Sequence, residues 1–460
     1  MNAVAPGDAG SACGYVPPPF PYDLLDESRA VAAGLPGGAV DLSIGTPCDP
    51  VPTVVAEVLG AATDPARSYP PSAGSADLLA AVCGWFDRRL DVALDPAQVG
   101  ACIGSKELVV GLPQVLRLRD PSCDTVLYPS ISYPSYAMGA ELAGCRAVPV
   151  PVDADWRLDL SAIDEADAER ALGLWVNTPG NPAGALDDLG AEAAWGRRRG
   201  IPVLSDECYV EFTWDGPPRS VLRYGSEGVL AVHSLSKRSN LAGLRVGYYA
   251  GDSELVHYLR EVRKHQGFMI PGPAQAAGAA ALADQAHVKV QAARYHGRLE
   301  RLVGLLGNLG IGATMPQGGF YLWVAAPDGD AWGLTRRLAE TLGIVVSPGE
   351  FYGPEGAGHV RIAAVATDDR MDLVAERASR VCRPTLTPDN ASRWPGGRSV
   401  ACRPCPTCSP ASKSSGRTGI SWTPTTPTPT PPSTGRSSCS TVAKPAWPNP
   451  APTAWSSTSG

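Results

Sequence analysis

The strongest constraint in this sequence is an alternation, from about residue 41 to residue 380, of short β-rich apolar runs with Ala/Leu/Arg segments of helical period. The runs "DTVLYP", "CRAVPVPV", "LGLWVNTP", "IPVLSDE" and "GVLAVHSLS" all end at polar residues. Strands buried on both faces read as continuous apolar runs, so the pattern predicts an α/β fold: a mostly parallel sheet with helices on both sides. Helices are expected over 76–90 and 254–264, where apolar residues recur at three- and four-residue spacing. In such sheets ligands bind beyond the carboxyl ends of the strands.

Composition narrows the partners. With 460 residues, 44% of them hydrophobic, the chain can bury a large core, enough for about two or three domains. Residues 1–19, running into "VPPPF", are rich in Pro, Gly and Ala and are expected to form an extended arm. The last 78 residues, 383–460, are Pro, Ser and Thr with almost no aliphatic core, and disorder is expected there. Cys402, Cys405 and Cys408 have metal-like spacing in "CRPCPTC", but prolines stiffen it and the fourth candidate, Cys439, is distant, so no metal is expected. The net charge of -7 divides into +7 for the tail (eight Lys or Arg against Asp389) and therefore -14 for residues 1–382. An acidic body argues against nucleic acid. No apolar run is long enough to span a bilayer and the first basic residue is Arg29, so neither a membrane span nor a charged secretory start is expected. The body's cysteines are scattered singly, as reduced thiols would be, and the cytoplasm is the expected compartment.

One lysine stands out. "HSLSKRSNLAGLRVGY" holds Lys237 among serines, glycines and aliphatics with no acidic residue in the stretch. Apolar runs also deliver Asn181 in "NTPGNPAG", Asp206 and Tyr209 in "SDECY", and Ser234 and Ser236 beside the lysine. In a parallel sheet these groups collect on one rim, where a phosphate-bearing aromatic cofactor could lie. A lysine kept from water there loses its proton more easily and can attack a carbonyl.

"SLSKRSNLAGLRVG" resembles the attachment-site signature of class I aminotransferases of the pyridoxal-phosphate (PLP) fold type I superfamily, and further matches cover most of residues 40–365. The resemblance implies a large PLP-binding domain over 46–274 and a smaller α+β domain from 20–45 and 275–382. It implies that Lys237 binds PLP covalently and then moves a proton, that Asp206 holds the pyridine nitrogen protonated, and that Asn181 and Tyr209 bond the phenolic oxygen. For the phosphate it implies Arg245, Ser234 and the helix start at Gly104, Ser105 and Lys106, a place where amides favour an anion, and it places Ser236 among the cofactor-binding residues. Tyr133 in "SISYPSYAMG" stands where the family stacks an aromatic ring on the cofactor, although tyrosines there can also be plain packing. Arg361 in "HVRIA" is similar to the arginine that pairs with the substrate α-carboxylate, and Gly45 to the glycine whose backbone approaches it; Asn181 borders the same substrate site. Tyr69 in "SYPPSAG" is similar to the tyrosine that reaches a neighbouring subunit's phosphate, which implies a homodimer with shared sites.

The strings "GSKELV", "SDECYVEFTW", "EVRKHQGFMIPGPAQAA" and "GEFYGPEGAGHVRIA" are similar to N-succinyldiaminopimelate aminotransferases of the actinobacterial type, which use glutamate as donor in lysine biosynthesis. Such substrates carry a distal carboxylate, for which Lys106 and Arg238 are candidate contacts. Other class I aminotransferases, acting on aspartate, alanine or aromatic 2-oxo acids, and same-fold PLP lyases remain open. A PLP-binding regulator fits less well, since about 20 residues before the core are too few for a helix-turn-helix.

Overall fold

The structure, a computed structural model, describes residues 15–382. Of the expected arm, residues 15–19 run exposed without regular structure. Residues 1–14 and the tail from 383, with Cys402, Cys405 and Cys408, lie outside the described residues.

Strands follow in chain order as β1 (Val40–Asp41), β2 (Val99–Cys102), β3 (Thr125–Pro129), β4 (Arg146–Val150), β5 (Ala171–Asn177), β6 (Val203–Asp206), β7 (Val229–Ser234) and β8 (Gly247–Gly251). A second group comprises β9 (Tyr321–Ala325), β10 (Ile344–Val345), β11 (Ser347–Pro348) and β12 (His359–Ala363). Seven of them form one sheet in the order β2-β8-β7-β6-β5-β3-β4. β3 to β7 run parallel, while β8 is antiparallel to both β7 and β2. β5, β6 and β7 are buried along their whole length. Along β7, Val229 and Ala231 join a core with Leu78 and Val82, while Leu230 and Val232 pack with Leu112 and Leu259. Alternate side chains therefore bury against helices on opposite faces.

The helices start and stop where side chains permit. Ala76–Leu90 opens with Ser75 Oγ accepting from Leu78 N at 3.3 Å. Ser253–Gln266 opens on Asp252 and ends at Gly267, whose φ of +73° is cheap only for glycine. After β3 the chain goes outward to β4 and then returns to the other side as β5. This reversal opens a crevice at the carboxyl ends of β3 and β5.

β11, β12 and β9 form an antiparallel sheet, and β1 pairs with β10. Their core includes Leu299, Leu302, Phe320, Leu322, Leu338, Ile362 and Val374. We propose the seven-stranded sheet as the large domain and this second group as the small one. The helix Gly272–Ala283 packs Ala274, Ala277, Ala281 and Leu282 into the first core. Residues 275–283 thus share the core that the sequence-based boundary assigned them away from.

Candidate active site

At the carboxyl rim of the large sheet lies a cavity of about 330 Å³. Asn177, ending β5, donates from Nδ2 to the Asp206 carbonyl at 2.8 Å, and its Oδ1 accepts from Asn181 N at 2.8 Å. Asp206, ending β6, accepts from Tyr136 OH at 3.1 Å and from Cys208 N at 3.2 Å. Burial raises its pKa against the pull of these bonds. Ser234, ending β7, caps the turn that carries the lysine: its Oγ accepts from Ser236 N at 3.2 Å and donates to Ser236 Oγ at 2.9 Å. Lys237 Nζ donates to the Gly45 carbonyl and stands 5.9 Å from the Phe320 ring centroid. Burial pulls the lysine pKa down from 10.5 to about 8.

The opposite wall comes from the helix Ser105–Arg119, whose start at Gly104 has no side-chain cap. Arg245, in the left-handed region at φ 56°, donates to Ile103 O at 3.2 Å. A Cβ at Gly104 would sit 2.4 Å from Arg245 Nη2, so only glycine allows the guanidinium this close to the helix start. Ser105 Oγ accepts from the Cys208 thiol at 3.2 Å. Tyr133 lies edge-on to Tyr136 with centroids 6.0 Å apart, and burial pushes its pKa up to about 12. Lys106 Nζ hangs between the rings of Phe20 and Tyr133, 5.7 and 5.9 Å from their centroids. No carboxylate pairs with it among the described residues.

From the small sheet comes Arg361, 2% exposed, its guanidinium between Tyr321 and Tyr352 at 4.2 and 4.7 Å from the ring centroids. Nη1 donates to Asn181 Oδ1 at 2.7 Å and Nη2 to Ser43 O at 2.5 Å. Its Nε is buried without a partner among the described residues. A buried charge with no counter-ion is costly, and an anionic ligand relieves that cost. Tyr209 and Tyr321 share a hydroxyl bond of 2.9 Å. A Cβ at Gly45 would lie 2.0 Å from Tyr321 Oη.

Lys237, Asp206, Asn181, Tyr209, Tyr133, Ser105, Lys106, Ser234, Ser236, Arg245, Gly45 and Arg361 all line this cavity. Tyr69 does not: it is 96% exposed on this chain's surface. Arg238 is corrected. It is 2% exposed and bonded to Glu211, Ala281 O and Gln285, on the far side of its turn, so no substrate carboxylate can reach it. Arg238→Ala should therefore lower stability by about 1–3 kcal/mol through the buried Ala281 carbonyl left without its donor, with Glu211 still paired to Arg89, while leaving KM for amino acids unchanged, as urea denaturation and steady-state kinetics would show.

Sequence reasoning missed Tyr136, Tyr321, Tyr22 and Cys208, all of which line the cavity. Tyr136 follows Tyr133 at helical spacing, a usable signal; the others carry none.

An amine drawn toward neutrality, a buried carboxylate and an anion cradle of glycine, serine and arginine make up the donor set that pyridoxal 5'-phosphate needs, and the residues present fit that cofactor. Fold and site together define a PLP-dependent enzyme of fold type I. The profile of the family described as Aminotransferase class I and II matches residues 38–377, and the chain belongs to that family. A 4-dedimethylamino-4-oxo-anhydrotetracycline transaminase of Streptomyces rimosus is 42% identical over 368 residues, covering 78% of this chain and 98% of that protein. An LL-diaminopimelate aminotransferase of Dehalococcoides mccartyi is 33% identical, covering 76% and 94%. Among solved structures, a probable N-succinyldiaminopimelate aminotransferase of Thermus thermophilus is 31% identical with a TM-score of 0.71, covering 79% of this chain and 99% of that one.

Proposed function

We propose that this aminotransferase moves an amino group between glutamate and N-succinyl-2-amino-6-ketopimelate in lysine biosynthesis, as a cytoplasmic homodimer. The observation that carries this reading is the pair of cations at two places in one cavity. Among the described residues Arg361 lies buried without a counter-ion, and Lys106 hangs at the wall between two rings. Glutamate and the succinylated acceptor each bear an α-carboxylate and a second, distal carboxylate. Further support comes from the likeness to diaminopimelate aminotransferases and to the Thermus protein.

In this reading Lys237 holds the cofactor and then carries the proton to and from the substrate Cα; its lowered pKa lets it take up that proton near neutral pH. Asp206 faces the pyridine nitrogen, Tyr133 the ring, and Asn181 and Tyr209 the phenolic oxygen. Arg245, Ser105, Ser234 and Ser236 surround the phosphate, joined by Tyr69 from a second copy, and Lys106 meets the distal carboxylate. Arg361 and the backbone at Gly45 receive the α-carboxylate. Bound PLP supplies the aldehyde that takes the amino group and a ring that accepts the electrons left on Cα.

The test is a panel assay with glutamate as donor and the synthetic succinylated keto acid set against simpler 2-oxo acids. The succinylated acid should give the highest kcat/KM. Glutamate leaving the cofactor spectrum unchanged, or faster turnover of a simple 2-oxo acid, would end the proposal. A second reading, transfer to an oxo-anhydrotetracycline, takes its support from the 42% identity with the Streptomyces rimosus protein, and that ketone belongs in the same panel.

A further inference from the structure

The segment before the first helix closes one side of the cavity. Pro21–Leu25 makes a short 3-10 turn that runs into the helix Asp26–Ala33. Leu25 is fully buried in a cluster with Ile131, Phe351 and Tyr352. With that anchor in place, Tyr22 turns inward and sets its ring edge-on to Phe351 at 5.7 Å. Its hydroxyl lies 3.1 Å from Tyr352 OH and 3.4 Å from Arg361 Nη2.

A phenol carries one proton and can also accept. Toward the guanidinium Tyr22 can only accept, and that bond is long, whereas Nη1 and Nη2 make shorter bonds to Asn181 and Ser43. Tyr352 can donate to Tyr22, which leaves the Tyr22 proton free for another acceptor. An anion brought to Arg361 would be that acceptor, and a hydrogen bond to a charged group is stronger than one between neutral groups.

We propose that Tyr22 is a substrate-positioning residue whose hydroxyl donates to the α-carboxylate beside Arg361, so that the segment Phe20–Leu25 reads this carboxylate. The proposal rests on Arg361 being the α-carboxylate site.

The experiment compares wild-type, Tyr22→Phe and Arg361→Ala holoenzymes. Glutarate, a dicarboxylate with no amine to react, is titrated by the cofactor's absorbance, and glutamate is compared kinetically with 4-aminobutyrate, which is glutamate without its α-carboxylate. Tyr22→Phe should raise the glutarate Kd and the glutamate KM about tenfold, leave kcat within about twofold, and leave 4-aminobutyrate unaffected. Equal losses for glutamate and 4-aminobutyrate would show a packing role and overturn the proposal, as would no loss with glutarate. If Arg361→Ala leaves glutarate binding unchanged, the carboxylate site is misplaced and the Tyr22 assignment falls with it. If glutamate does not react at all, the substrate reading fails while the glutarate titration still decides the role of Tyr22.

Discussion

Lys237→Ala should lose covalent capture of PLP completely and reduce turnover about ten-thousandfold or more, since in the proposed reading one side chain supplies both the attachment point and the base. The physical basis is the buried amine. With its pKa lowered to about 8 rather than 10.5, the neutral, nucleophilic form is the minority below pH 8 and the majority above it. In wild-type apoprotein mixed with PLP and borohydride, the rate of irreversible labelling should rise with pH and reach half its maximum near pH 8. Labelling that persists in the variant, or a midpoint near that of an ordinary lysine, would contradict the assignment.

Arg361→Ala should raise KM for amino-acid substrates by about thirtyfold or more, corresponding to about 2–5 kcal/mol for losing one side of a desolvated charge pair. PLP should stay bound with an unchanged spectrum. The expected size follows from preorganisation: two tyrosine rings and hydrogen bonds to Asn181, Ser43 and Tyr22 hold the guanidinium in place before any ligand arrives. Stopped-flow titration with glutamate and spectra of the purified variant separate the two effects. Unchanged KM, or loss of cofactor, would move the carboxylate site elsewhere.

Much of this architecture is legible before any coordinates. β5, β6 and β7 bury both faces, so they are written as unbroken apolar runs, and the polar residues that stop them stand on the same rim. β2 and β8 are harder to see. "VGAC" and "GYYAG" look like turns because of their glycines, which are needed for packing: a Cβ at Gly100 would lie 2.2 Å from the Tyr249 ring. Arg238 misleads for a different reason. It follows Lys237 directly, but one helical step turns a side chain by about 100°, and here that step aims it at Glu211. Tyr22 and Tyr321 escape notice because their partners lie far along the chain. Tyr22 meets Arg361 across 339 positions, and no local pattern records such a meeting.

The bonds from Arg361 to Ser43 and Asn181 span 318 and 180 positions, and that from Lys237 to Gly45 spans 192. A nascent polypeptide still holding residue 361 inside the ribosome therefore has no finished clamp to offer. The carboxylate clamp is thus a late product of folding, and an acid that binds it adds RT ln(1 + [L]/Kd) to the native state alone, a final lock on maturation.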